Sequence, residues 1–213
     1  MSRRRVLLLL PALAALAAVS ACSSSGNSSP ASGGATSSRA VSSAAGASTP
    51  SVQVGLLTEW FDTPLPSDQA QAAVVEDFRQ GLLLYDKSQE DFSLVSPVTS
   101  WVTGSALTDL KQTLSTLEKN ELVPAGVDRL FRTGVTALSG SAATITTCDD
   151  GSKYNEQNPR THAISPSSEH LPLNQEYIFI TWDMTRADGH WAIRSITIAS
   201  SSSAAAKSCL PGG

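Results

Sequence analysis

The pattern that most limits what this chain can fold into is a change of hydrophobic period near Gly126. Before it, apolar residues recur every three to four positions. Val74, Phe78, Leu82 and Tyr85 fall on one stripe with Glu76, Arg79, Gln80 and Lys87 opposite, which predicts a helix from about Ser67 to Lys87, capped by Ser67 or Asp68. Leu107, Leu110, Leu114 and Leu117 predict a second helix over about Ser105 to Lys119, capped by Thr103 or Ser105 and ended by Pro124 and Gly126. After Gly126 the period is two. Thr133 to Ser139 and Ala142 to Asp149 read as strands joined at Gly140-Ser141, and Ile178, Ile180, Trp182 and Met184 share one face of a strand from Tyr177 to Arg186. In the last strand, Trp191 to Ala199, the apolar residues change face between Ile193 and Ile196, which predicts a bulge near Arg194 or burial on both faces. Val52 to Trp60 reads as a short strand or an extended lead-in, and Asp150 to Gln175, with Pro159, Pro166 and Pro172, as a long polar loop. Helices first and hairpins afterwards predict an α+β domain, with helices on one face of a curved antiparallel sheet.

The N-terminus sets the compartment. Arg3 to Arg5 precede an apolar run from Val6 to Val19 that is short for a permanent membrane span and closes on Val19-Ser20-Ala21-Cys22. That order reads as a secretory signal, and the tetrapeptide resembles the lipobox of bacterial lipoproteins. The resemblance implies cleavage after Ala21, a diacylglycerol thioether on Cys22, and residence on the extracytoplasmic face of the cell membrane. Residues 1–21 are then the signal, 22–51 a linker and 52–213 the folded domain. From Ser23 to Pro50 the linker is almost all Ser, Ala, Gly and Thr with one charge, Arg39, so it has too little apolar surface to offset its ordering entropy. Its reach is about 30 Å. The formal net charge of −4 becomes −7 once the three arginines leave with the signal. An acidic protein is a poor partner for nucleic acid or anionic head groups, so attachment falls to the lipid anchor.

With Cys22 lipidated, Cys148 and Cys209 remain, and in an exported protein a lone pair most simply forms a disulfide. The alternative is a nucleophilic or redox-active Cys148, which the adjacent Asp149 disfavours by opposing the thiolate. His162, His170 and His190 have no ligand spacing, so neither a metal nor another cofactor is expected. General acid or base chemistry has three candidates. Tyr85 lies on the stripe of the first helix, Asp77 borders it, and Asp183 faces away from Trp182 on the side of Phe179. Tyr85 reads equally as an amphipathic core residue and Asp77 as a solvated helix edge. Trp101, Phe78, Tyr85, Trp182 and Trp191 line a pocket for an apolar ligand, or else form the core of a domain with few aromatics.

Several segments together resemble the nuclear transport factor 2-like (SnoaL-like, cystatin-like) superfamily. They are the long first helix, the Thr103-Gly104 step into a leucine-striped helix, and the hairpin Val135-Thr136-Ala137-Leu138 to Ala143-Thr144-Ile145. Cys148-Asp149-Asp150 and the turn Arg186-Ala187-Asp188-Gly189-His190-Trp191 complete the set. The likeness covers roughly Gln69 to Cys209 and is narrower still to secreted actinobacterial lipoproteins that carry this domain. It implies a cone-shaped sheet around a pocket closed by helices. It implies no activity, because that superfamily holds isomerases, cyclases and dehydratases beside proteins without chemistry. Three functions follow as expectations: a non-catalytic module that binds a small apolar ligand or an envelope protein, a SnoaL-like enzyme, or an accessory subunit of an envelope assembly.

Overall fold

The computed structural model describes residues 51–166 and 172–212. The signal, Cys22, the linker as far as Pro50, and His170 lie outside these described residues, and Ser51, the last linker residue expected, opens β1. In chain order the elements are β1 (Ser51–Val54), β2 (Leu56–Phe61), α1 (Gln69–Glu90), α2 (Val98–Trp101), α3 (Gly104–Asn120), β3 (Val123–Ser139), β4 (Ala142–Gln157), α4 (Leu173–Glu176), β5 (Tyr177–Ala187), β6 (His190–Ile198) and α5 (Ala204–Ser208). Among the described residues no helix is long and apolar enough to cross a membrane.

The two long helices start where the caps allow. Asp68 accepts from the Gln71 backbone N–H at 2.9 Å, one of the donors a helix start leaves over. Thr103 caps α3 through backbone position alone, without a side-chain bond. That helix ends earlier than Pro124 and Gly126 suggest, because Glu121 turns left-handed at φ 52° and the Leu122 N–H returns to the Leu117 carbonyl. Pro124 and Gly126 belong to β3 instead.

The strands form one six-stranded sheet in the order β1-β2-β3-β4-β5-β6. The pairs β1–β2, β3–β4 and β5–β6 are antiparallel hairpins with tight turns, and β4–β5 is antiparallel across a long connection. Between β2 and β3 the chain makes α1, α2 and α3, and this crossover brings β3 back parallel to β2, so the sheet is mixed. Val52 to Trp60 is thus a hairpin rather than a lead-in, with its turn at Gly55.

The first eight residues of the expected loop, Asp150 to Gln157, are strand, and a long connection leads from there to β5. Because β3 begins at Val123, it offers ladder partners that carry β4 on to Gln157. Three register shifts in this long pair bend it. At Gly126, φ is +86° and a side-chain carbon would sit 2.1 Å from the Lys153 carbonyl oxygen, so the close approach of the two strands needs glycine there. The change of face in β6 is a bulge: Asp183 pairs with Ser195 and Met184 with Ile193, leaving Arg194 as the extra residue.

All three helices between β2 and β3 pack on one face of the sheet. The core between them holds Val74, Phe78, Leu82 and Tyr85 of α1, Leu110 and Leu114 of α3, and Ile145, Ile180, Trp182 and Ile193 of the sheet. On the opposite face, Cys148 is bonded to Cys209 with 5.4 Å between their Cα atoms, which ties α5 to the sheet. With 61 residues between them in sequence, that link contributes about 4 kcal/mol in the chain-entropy account.

Candidate functional site

The residues expected to line an apolar pocket divide into two groups. Phe78, Tyr85 and Trp182 are buried in the core and belong to its structure. The Phe78 and Trp182 rings lie 4.9 Å apart, and the Trp182 indole N–H donates to Thr147 Oγ1 at 2.9 Å, so the sheet face under α1 is occupied by the protein's own side chains. Trp101 is not in this group. It stacks on His190 at 4.2 Å while His190 Nε2 lies 3.0 Å from the Ser100 carbonyl, and so joins α2 to the β5–β6 turn.

Trp191 stands between the core and the surface. Its ring forms part of an open cleft of about 660 Å3. One wall is the start of α1, with Asp68, Gln69, Ala70, Ala73 and Asp77; the other is the ends of two hairpins, with Leu138, Gly140, Arg186, Gly189 and Trp191. The Arg186 guanidinium lies 5.9 Å from the Trp191 ring centre. Both carboxylates of the cleft hold backbone donors. Asp68 caps α1, and Asp77 Oδ2 accepts from the Trp191 N–H at 2.8 Å, at the edge of β6.

The three acid or base candidates do not meet. Asp77 is at the cleft and Tyr85 is eight residues along the same helix, about 12 Å away. Asp183 is on the far face of the sheet, where Ser195 Oγ donates to it at 2.7 Å and Thr144 Oγ1 at 3.3 Å.

Other carboxyl groups lie deeper than Asp77 or Asp183. Glu59, Asp86, Asp128 and Asp149 are all buried, at 0 to 3 % exposure. Glu59 and Asp128 are register partners on β2 and β3, on the side facing the helices, one step from the Phe61 and Leu130 pair. Asp149 pairs with Leu130 from the other side. The first helix runs antiparallel to β2, since Arg79 covers the Phe61 ring at 5.1 Å and Glu90 abuts Gly55, so Asp86 rides over the Leu57 to Glu59 stretch. Gln89 Nε2 donates to Asp86 Oδ1 at 3.1 Å. A signal for the strand acids existed in the sequence. Glu59 alternates with Leu57 and Phe61, and Asp149 with Ile145 and Thr147, so extending period two through a charged residue places both inside. Among the described residues no group of His, Cys, Asp and Glu is arranged to hold a metal ion.

No protein-family model and no curated protein matches the chain. Among solved structures, it is similar to an ntf2-like protein with a cystatin-like fold from Novosphingobium aromaticivorans. There the identity is 17 %, the coverage 68 % of this chain and 98 % of the other, and the TM-score 0.39. It is similar also to Aln2 from a Streptomyces species, at 12 % identity over 63 % of this chain and 93 % of that one, with a TM-score of 0.40. The intermembrane space region of the chloroplast protein ARC6 gives 13 % identity, 64 % and 99 % coverage and a TM-score of 0.39.

Proposed function

We propose that this chain is a lipid-anchored extracytoplasmic protein with a nuclear transport factor 2-like domain, and that the domain binds a small apolar ligand without transforming it. The observation that carries the reading is the cleft between α1 and the hairpin ends. Its volume of about 660 Å3 falls in the range of small-molecule sites, and Trp191, Leu138, Ala70 and Ala73 supply apolar wall. Its two carboxylates are engaged as backbone caps, so neither is placed as a free base. The anchor at Cys22 and the linker after it would hold this cleft within reach of the membrane from which an apolar ligand partitions.

Native mass spectrometry of the detergent-extracted protein tests this. A retained small molecule, lost in Trp191→Ala and kept in Asp183→Asn, is the expected result. A retained protein in its place would make the domain a partner-binding module.

A second reading, a SnoaL-like acid–base enzyme, is favoured by one observation: Glu59 and Asp128 sit side by side in the interior. Two adjacent carboxyls are the raw material of proton transfer. Turnover of the retained ligand that disappears in Glu59→Gln while binding persists would select it over the first.

A further inference from the structure

The C-terminal segment crosses the sheet face that the long helices leave uncovered. Alternation along β4 points Ile145, Thr147 and Asp149 toward the helices and Cys148 the other way. Cys148 is flanked in register by Phe131 on β3 and Phe179 on β5, so the three make one row across that face. The row is where α5 lies. Ala199 N–H bonds the Phe179 carbonyl, the chain turns through Ser200 to Ser203, and Cys209 closes onto Cys148.

What holds this segment apart from the disulfide is slight. With five residues, α5 is far below the length at which a helix persists alone, and only Ala206 and Cys209 of it and its cap are buried. Ser203 Oγ caps it by accepting from Ala206 N–H, and Arg132 donates to the Ser208 carbonyl across from β3. These are exposed or half-exposed bonds, of the kind that contribute modestly. The covalent link is therefore the principal tie of the strap.

The two cysteines are equally buried but differ in what surrounds them. Both cysteines are buried, at 2 % and 1 %, but Cys148 sits in the middle of a central strand between two aromatic residues, whereas Cys209 is the C-cap of a short helix. A short terminal helix opens locally at lower cost than a central strand, and such opening would uncover the Cys209 sulfur while β4 stays paired.

We propose that residues 199–210 form a reducible strap, opened by attack of a dithiol on Cys209 and covering the aromatic row of Phe131 and Phe179 until then. A thiolate of the dithiol bonds to Cys209 Sγ and breaks the disulfide, and Cys148 leaves as a thiolate that takes a proton from water. The second thiol of the dithiol then displaces Cys209. The dithiol ends oxidised to its own disulfide, and both cysteines end as thiols.

The test uses the whole purified protein and thioredoxin carrying serine at its resolving cysteine, so that the mixed disulfide is trapped. Peptide mapping should place thioredoxin on Cys209 and leave Cys148 open to alkylation. In parallel, hydrogen exchange on the fully reduced protein and on Cys209→Ser should show amides of residues 203–210 exchanging at least about tenfold faster, with those of β4 and β5 unchanged. A thioredoxin adduct on Cys148, strap amides that keep their protection after reduction, or loss of protection across β4 and β5 together would each overturn the proposal. The last would make the link a staple of the whole domain.

Discussion

The rings of Phe78 and Trp182 meet at 4.9 Å with their planes tilted by 59°. This contact joins the middle of α1 to the middle of β5, and both side chains are fully buried. Phe78→Ala and Trp182→Ala should each lower the unfolding free energy by about 3–5 kcal/mol. A double-mutant cycle with Leu at both positions should return a coupling of about 0.5–1.5 kcal/mol beyond lost area, measured by urea denaturation. Coupling near zero would mean that the rings merely fill space.

Asp77 is predicted to act through structure. Removing its carboxylate strands the Trp191 N–H at a sheet edge, so Asp77→Ala should cost about 1–3 kcal/mol. Asp77→Asn retains an oxygen acceptor and should recover most of that loss, as thermal melts of the three proteins would reveal. Equal losses in both variants would point to a role for the charge itself.

Gly126 tests the close approach of β3 and β4. Gly126→Ala must put a carbon against the Lys153 carbonyl from a left-handed backbone, and should cost more than about 1–3 kcal/mol, or prevent folding. Gly134→Ala in the same strand meets no neighbour within 4 Å and should fold with little change in the urea midpoint.

Burial pushes the Asp109 carboxyl above its ordinary value of 3.8. A carboxyl whose folded-state value is raised binds more protons in the fold than in the unfolded chain between the two values, so its contribution to stability falls as pH rises through that window. Asp109→Asn should therefore melt higher than the parent at pH 7. The gap should close as the pH is taken below 3.8, where both states of the parent are protonated. A gap that widens on acidification would reverse the assignment.

Lipid anchoring is tested at Cys22. Expression of Cys22→Ala should give an unprocessed or released protein, while the parent fractionates with the membrane at the mass of a cleaved, diacylated chain. Membrane recovery of the variant at the processed mass would count against the anchor.

Local pattern made much of the architecture readable. The stripe through Val74, Phe78, Leu82 and Tyr85, the alternation through Ile178 to Met184, and the face change around Arg194 are properties of a few consecutive residues, and the elements follow them. Asp68 as a cap was legible for the same reason, since the bond it makes closes within three residues.

Pairing partners were another matter. Nothing within residues 150–157 announces a strand; they become one because β3, begun at Val123 after the helices, lies alongside. The parallel union of β2 with β3 likewise depends on where three helices deliver the chain. The fate of each site candidate was decided in the same way. Sequence placed Asp77 and Tyr85 on one helix, but only packing sent the first to a backbone N–H at the cleft and the second into the core. It also drew Glu59 and Asp128, 69 positions apart in the chain, into register with each other. The sequence by itself determined which residues could be helix or strand and which face each would bury, because those preferences arise from steric and hydrophobic effects over a few neighbours. Apart from the cysteine pair, which export and an even count already pointed to, the tertiary structure decided which buried groups stand together, because hydrogen-bonded register and side-chain packing join residues that the chain holds far apart.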